Sequence, residues 1–494
     1  MTLNNSRLNP QVLQNTSYTK TFFLLVASVV IMFLLRSIWT IPIEVAGDAV
    51  RKFYAAAEIA RTGDWAILLQ NHHTMRWSIA IPQVVITWII GARYEAYYIL
   101  PLLAFALSFV IILYALKDHL NTSQKILLGV LIFVDPMSFR NSSQLMTAGP
   151  GIFFAISACY VLATYSKRNR FALVIAAALF FFAYGAQATY ISFAAGGFLW
   201  LALIQRSWKS SFIFAGTLLC LLLIECLFFN YLSGWNLTFG RVQALLFGSH
   251  LETAVGAFST PDEPYKGRFT VSFLNLFTRW LRLPLLDIAL TATFFISGLV
   301  FIGLKKSRVL PAFISCAYLV GLCFALFASF AVVSIDPITP VQGLLPRYLS
   351  PFLPFAIINS VYFLTFLTKS NRKTRDVRME LIAALLALTI ILIPQFFDHS
   401  EYPTIKIRTE GFLWKAESEY TDFATQIHNG DLIYKGRKKF VVQMLTQFKY
   451  PNEKNTMELE KTTITRSTEV KCVNKLKDIP SRDNLRECKP GELK

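Results

Sequence analysis

Long apolar runs recur along the first 395 residues of this 494-residue chain. A membrane-spanning helix needs about 20 mostly apolar residues, so a series of such runs predicts a polytopic membrane protein. Only 16% of the residues are charged, against roughly 25% in soluble domains. We therefore expect an all-α polytopic membrane protein whose net charge of +18 orients its helices and does not bind nucleic acid.

The apolar runs predict about eleven transmembrane helices. The predicted spans are residues 21–41, 96–116, 124–137, 147–165, 171–185, 189–205, 210–231, 284–304, 309–333, 347–368 and 379–396. The run 78–91 is apolar but short and contains Pro82, which favours an interfacial or re-entrant segment over a span.

The distribution of Lys and Arg predicts which loops face the cytoplasm. If residues 78–91 do not span, five short loops on one face together hold fifteen Lys and Arg residues, and the opposite short loops hold only Arg140. The first set comprises loops 117–125, 166–170, 205–209, 305–308 and 369–378. Cytoplasmic loops are enriched in Lys and Arg. We therefore predict a multi-pass plasma (inner) membrane protein with a cytoplasmic N-terminus and an extracytoplasmic C-terminus.

This topology divides the chain into three parts. We expect a cytoplasmic tail at 1–20, a transmembrane domain at 21–396 and a small extracytoplasmic domain at 397–494. The outer loops of the transmembrane domain are then 42–95, 138–146, 232–283 and 334–346. Cys472 and Cys488 lie in the last part, where an oxidising compartment favours a disulfide. No CxxC spacing or Cys/His cluster occurs, so neither a metal site nor a cofactor is predicted.

The first outer loop concentrates acids and bases in “GDAVRKFYAAAEIARTGDWAILLQNHHTMRW”. Glu44 and Asp48 are four residues apart, so a continuing helix would present them on one face. The stretch “FYAAAEIARTG” has helical periodicity and a glycine stop. Two interpretations stay open at this point. Asp48 caps a solvated interfacial helix, or it belongs to a site.

Two further sets of polar residues near the membrane have two interpretations each. His72, His73 and Arg76 either bind a phosphate or lie among lipid headgroups. Glu225, inside an apolar run, is either a functional residue or a neutral packing residue. Arg36 lies at a similar depth in the first span, from which its side chain is long enough to snorkel outward.

The order of these parts resembles the GT-C class of integral-membrane glycosyltransferases, which includes protein O-mannosyltransferases and the lipid A aminoarabinose transferase. In that class an acid opens the first outer loop, before an aromatic-rich helix, a His-Pro-Pro-like element and an interfacial apolar stretch. This chain has “GDAVRKFYAAAEIARTG”, “NHHTMRW” and “SIAIPQVVITWIIG” in the same order. The second outer loop, “DPMSFRNSSQLMTAGPG”, and the late “LPRYLSPFLPF” also match the class. Ala49 stands where a second acid is common.

The resemblance implies a GT-C-like bundle with outer-face interfacial helices and a sugar donor carried on polyprenyl phosphate. The acceptor would be a glycan, lipid or protein, as in O-antigen or other cell-envelope modification. Asp48 is then the general base, with Glu44 second, and Arg347 stabilises the leaving phosphate. Snorkelling to headgroups is the other interpretation of Arg347. Further candidates for substrate binding are Tyr348, Lys52, His73, Arg76 and Arg140.

Other functional classes remain open on the sequence alone. A polysaccharide polymerase would use arginines in late outer loops, which Arg347 matches thinly. A membrane O-acyltransferase would use an intramembrane histidine, and none of the six histidines lies in a predicted span. A lipid or polysaccharide transporter would have paired charges at the membrane midplane, whereas Glu225 and Arg36 lie nearer the predicted outer face.

Overall fold

The computed structural model describes residues 10–38, 40, 48–69, 73–236, 241, 285–303, 310–329, 332–335, 338–340 and 349–367. These residues form thirteen α-helices and one antiparallel hairpin. The helices are α1 (Pro10–Ser37), α2 (Asp48–Thr62), α3 (Trp77–Ile90), α4 (Tyr94–Ala115), α5 (Thr122–Val134), α6 (Pro136–Ser143), α7 (Ala148–Tyr165), α8 (Phe171–Ala186), α9 (Ile191–Leu199), α10 (Trp208–Leu232), α11 (Leu285–Gly303), α12 (Ala312–Ser329) and α13 (Leu353–Leu367). The strands are β1 (Val332–Ile335) and β2 (Ile338–Pro340), with Val332 opposite Pro340 and Ile335 opposite Ile338.

Short polar signals set several helix ends. A capping box starts α5, where the Asn121 side chain accepts from the Gln124 amide and the Gln124 side chain accepts from the Asn121 amide. Asp135 caps α6, and Pro136 follows at the first helical position, where its fixed φ suits the helix. Helix α2 stops before Gly63, whose φ of +73° is a conformation that glycine adopts without strain.

Helix α10 presents a broad apolar surface. Its side chains Leu219, Leu223, Ile224 and Leu227 are each more than half exposed. Water disfavours such a surface, whereas bilayer hydrocarbon accepts it. In the described part of the chain, three helices are long and apolar enough to cross a membrane. They cover Glu95–Ala115, Ala148–Tyr165 and Trp208–Leu232, and eight apolar helices of 10–17 residues accompany them. This part of the chain therefore has the predicted all-α polytopic architecture.

The centre of the bundle brings α9, α12 and α13 into close contact. The ring of Phe193 on α9 stacks on Phe324 of α12 at a centroid distance of 4.8 Å and lies 5.5 Å from Phe355 of α13. Gly196 faces the α12 backbone, and a Cβ at that position would lie 2.5 Å from the Cα of Val320. Small residues permit this close approach of helices in membranes.

The helices agree with most of the predicted spans. Ten of the eleven spans coincide with described helices, and the eleventh, 379–396, lies outside the described residues, as does the predicted domain 397–494. The short run 78–91 forms α3, which packs on α2. The predicted span 309–333 is too long, because α12 ends at Ser329 and the β-branched residues that follow form β1.

Candidate active site

One end of the bundle collects polar side chains from elements that are distant in sequence. The C-termini of α1, α5 and α8 meet the N-termini of α3, α7 and α9 at this end. It is the end that the charge distribution of the loops predicts to face away from the cytoplasm. The polar side chains there define the candidate site.

Lys52 links the first and second predicted outer loops. Its side chain, on α2, is 2% exposed, and its Nζ donates a hydrogen bond to the backbone oxygen of Leu145 at 3.3 Å. A buried ammonium is costly unless polar partners surround it. The Leu145 carbonyl supplies one such partner, so the contact fixes α2 against the segment between α6 and α7.

The segment between α6 and α7 is held from two further sides. The hydroxyl of Tyr97 on α4 donates to the side-chain oxygen of Gln144. The hydroxyl of Thr147 donates to Oε1 of Gln187 at 2.7 Å and lies 3.4 Å from the hydroxyl of Tyr190. Three elements therefore position the short segment that follows α6.

The “NHHTMRW” turn reaches the same region. Arg76 is the N-cap of α3, its side chain is half-buried, and it lies close enough to Tyr190 for electrostatic interaction. His73 is 8% exposed, and the neighbouring Thr74 hydroxyl donates to the Leu68 oxygen at 3.0 Å. A positive charge therefore lies beside the polar cluster of Thr147, Gln187 and Tyr190.

The other predicted site residues are placed less fully. Arg140 lies half-buried on α6. Asp48 is the first residue of α2, and the structure does not describe its side chain. Glu44, Arg347 and Tyr348 lie outside the described residues, and so does His72. The catalytic and substrate-binding roles of all these residues stay predictions.

Arg36 does not snorkel outward, although its position in the sequence allowed it. Its side chain is 1% exposed, its Nε donates to the hydroxyl of Ser142 at 2.6 Å, and its Nη1 donates to the Phe133 oxygen at 2.9 Å. The ring of Phe139 lies 4.3 Å from the guanidinium carbon. These partners come from α5 and α6, so inward contacts replace the lipid interface as the environment of the charge.

The buried carboxyl group of Asp135 adjoins Arg36, and a second buried carboxyl group, that of Asp287, adjoins Asp135. Asp135 accepts a hydrogen bond from the Ser138 amide at 2.6 Å and interacts electrostatically with Arg36. The carboxyl group of Asp287, in the first turn of α11, adjoins that of Asp135. The sequence signal for Asp287 was an acid in the first turn of an apolar helix, but its neighbour Asp135 lies far away in the sequence and could not be identified from it.

A second buried charge cluster surrounds Glu225 on α10. Its Oε1 accepts from Nε1 of Trp77 at 2.5 Å and forms an ion pair with Nη2 of Arg241 at 3.0 Å. Both side chains of the ion pair are 2% exposed. The sequence marked Glu225 but neither of its partners. The sequence left two interpretations of Glu225, a functional residue and a neutral packing residue. The ion pair with Arg241 differs from the neutral packing role.

The arrangement provides cations and hydrogen-bond donors for an anion. Lys52 and Arg76 supply positive charge at the end of the bundle where Thr147 and Tyr190 offer hydroxyl groups. Among the residues that the structure describes, no group of three or more His, Cys, Asp or Glu side chains could hold a metal ion.

Neither a protein-family model nor a curated protein matches the chain. Among solved structures, the chain is similar to a crystal structure of ArnT from Cupriavidus metallidurans bound to undecaprenyl phosphate. The two share 12% sequence identity at a TM-score of 0.48, over 92% of this chain and 89% of the other. At that identity and TM-score, the likeness by itself assigns neither a family nor an activity to this chain.

Proposed function

We propose that the chain is a glycosyltransferase that moves a sugar from a polyprenyl-phosphate donor to an acceptor on the outer face of the membrane. The acceptor is a glycan, a lipid or a protein, and modification of O-antigen or another cell-envelope polysaccharide fits this chemistry. The observation that carries the proposal is the contact of Lys52 with Leu145. Leu145 is two residues before Thr147, whose hydroxyl lies 3.4 Å from that of Tyr190, and Tyr190 interacts electrostatically with Arg76. The contact of Lys52 with Leu145 joins the first two outer-loop motifs of the GT-C resemblance at one end of an apolar bundle.

The proposed reaction is a displacement at the anomeric carbon of the donor sugar. The acceptor hydroxyl oxygen bonds to that carbon while the bond from the carbon to the phosphate oxygen breaks, which inverts the configuration. The hydroxyl proton moves to a carboxylate, and we propose Asp48 for this general base, with Glu44 second. The electron pair of the broken bond stays on the polyprenyl phosphate.

Fixed cations are needed where the leaving phosphate gains charge. A preorganised positive group stabilises that charge more in the transition state than in the bound donor. We propose Arg347 as the principal group, because a guanidinium fork matches phosphate oxygens. Lys52, His73 and Arg140 are proposed to add positive charge around it, and Tyr348 a hydrogen bond. Arg76 is proposed to bind the donor phosphate equally in the bound donor and in the transition state, so that its contribution is to donor affinity.

Purified protein in lipid nanodiscs tests the proposal directly. A labelled polyprenyl-phosphate hexose is added with and without lipopolysaccharide core acceptors, and released polyprenyl phosphate is measured by chromatography. We expect release by the wild type and loss of most of that release in Lys52→Gln, whereas Arg61→Gln should match the wild type. Arg61 is on the same helix with its side chain 47% exposed, so it controls for loss of a positive charge on α2. Absence of release from a panel of polyprenyl-phosphate sugars would contradict the proposal.

A further inference from the structure

The ion pair of Glu225 and Arg241 lies inside the apolar bundle, and the proposed chemistry does not use it. Glu225 is seven residues before the end of α10, which places it about 10 Å below that end at 1.5 Å per residue. Charged groups within membrane segments are costly and mark function by default. A well-packed apolar pair often stabilises a fold as much as a buried ion pair does. The pair therefore calls for an explanation other than stability.

One carboxylate oxygen of Glu225 receives two donors from different elements. Oε1 accepts from the Trp77 indole at 2.5 Å and from Arg241 at 3.0 Å. Charge-assisted hydrogen bonds of this kind are shorter and stronger than neutral ones. Glu225 thus fixes the indole of Trp77 relative to the guanidinium group of Arg241.

Arg241 in turn binds the last turn of α8. Its Nη1 donates to the Gly185 oxygen and its Nη2 to the Tyr184 oxygen, each at 3.0 Å. The guanidinium carbon lies 4.4 Å from the centre of the Tyr184 ring. A cation is favourable at a helix C-terminus, where carbonyl groups lack intrahelical partners. The end of α8 is therefore held in place by a charge that Glu225 also contacts.

Trp77 has little freedom to move within this cluster. Its ring lies 5.0 Å from the ring of Phe181 and 5.2 Å from that of Phe182, measured between centroids. It also covers Gly185 so closely that a Cβ there would lie 2.6 Å from Cζ2 of the indole. Packing thus places the ring, and the hydrogen bond to Glu225 fixes its rotation.

The cluster of Glu225, Arg241 and Trp77 adjoins residues that provide charge and hydroxyl groups for an anion. Arg76 immediately precedes Trp77 and is the N-cap of α3. Gln187 follows the end of α8 and accepts from Thr147, which adjoins Tyr190. The position of Trp77 therefore determines where Arg76, whose charge interacts with Tyr190, begins α3.

From this geometry we infer that Glu225 and Arg241 are positioning residues that act through Trp77 to hold Arg76 against the donor phosphate. This inference rests on the proposed function. Neither charge touches the substrate, and the ion pair instead fixes the angle at which α3 leaves the “NHHTMRW” turn. The expected result of loosening the pair is weaker donor binding with little change in the chemical step.

The test is Trp77→Phe, which keeps an aromatic ring and removes the indole donor. We expect the donor KM to rise about 3- to 10-fold, the effect of one net hydrogen bond, with kcat within about 2-fold of the wild type. Trp88→Phe is the matched control, because Trp88 lies on the same helix and donates its indole proton to the Ala60 oxygen at 2.9 Å. That control should keep the wild-type KM.

A double-variant cycle separates positioning from a merely structural effect. If Trp77 acts through Arg76, Trp77→Phe should raise the donor KM no further in an Arg76→Gln background. If Trp77→Phe does not accumulate in the membrane, Glu225→Gln replaces it in the same cycle with Arg76→Gln. A wild-type KM in Trp77→Phe, or full additivity with Arg76→Gln, overturns the inference while the proposed function stands. Absence of polyprenyl phosphate release by the wild type contradicts the proposed function and this inference with it.

Discussion

The Nε of Arg36 donates a hydrogen bond to the hydroxyl of Ser142 across 2.6 Å, so the last turn of α1 is bound to α6. The same guanidinium group donates to the Phe133 oxygen at the end of α5. Three separate helices thus share one buried positive charge, at the end of the bundle where the candidate site lies.

Arg36→Leu should therefore destabilise the bundle. The substitution removes two hydrogen bonds from a charged donor and leaves Asp135 without its cationic neighbour. We expect the free energy of unfolding to fall by roughly 2–4 kcal/mol. Equilibrium unfolding in bicelles measures it. Arg61→Leu, which breaks an exposed pair with Glu58, should lose less than about 1 kcal/mol. Equal losses in the two variants would show that the Arg36 contacts add nothing.

Asp48→Asn separates the two interpretations of that residue. General-base catalysis contributes typically about 10²–10⁴-fold, so turnover should fall by that factor while donor binding survives. Asparagine caps a helix about as well as aspartate, so a capping role predicts little change. Turnover with a labelled donor is measured, with Glu44→Gln as the parallel variant and expected to lose less. If Asp48→Asn keeps wild-type turnover and Glu44→Gln loses it, the base is Glu44.

Arg347→Ala should abolish most activity at normal expression, and Arg347→Lys should recover only part of it. Arginine presents a planar fork of donors that lysine does not reproduce, so the second substitution tests geometry as well as charge. Release of polyprenyl phosphate is the measurement. Wild-type rates in a normally expressed Arg347→Ala protein would favour the other interpretation, in which Arg347 snorkels to the lipid headgroups.

The sidedness of the loops can be tested by cysteine labelling with a membrane-impermeant maleimide. In the first loop the cysteine is placed at Arg61, whose side chain is exposed. The nearby Gly63 is unsuitable, because its φ of +73° would be strained by a side chain. We expect Arg61→Cys and Asn429→Cys, each lacking Cys472 and Cys488, to react from outside, because the loops opposite them are rich in Lys and Arg. Lys167→Cys should react only after the cells are opened. Reaction of Arg61→Cys only in opened cells would reverse the predicted topology.

Local patterns were enough to predict most of the helices. An apolar run of sufficient length must satisfy its backbone hydrogen bonds internally in a bilayer, so it forms a helix whatever its neighbours are. The glycine stop at Gly63 and the short run that became α3 depend on the same local physics. The end of α12 at Ser329 was missed because β-branched residues are apolar too, and composition alone does not separate a strand from a helix end.

The partners within the site could not be predicted, because they are made by packing between distant segments. Nothing near Glu225 indicates that its carboxylate meets Trp77, 148 residues earlier in the chain. Nor does the sequence near Asp287 indicate that its carboxyl group adjoins that of Asp135. For Arg36 the sequence indicated the lipid headgroups, because the sequence of one span does not show that Ser142 lies within hydrogen-bond distance of its side chain.

The close approach of Gly196 to Val320 also bears on the order in which the protein is assembled. Helix α9 is synthesised before α12, so Gly196 has no partner on α12 until the later helix is inserted. An incomplete chain that ends before α12 lacks this contact. Completion of this one contact therefore distinguishes a finished bundle from an arrested one.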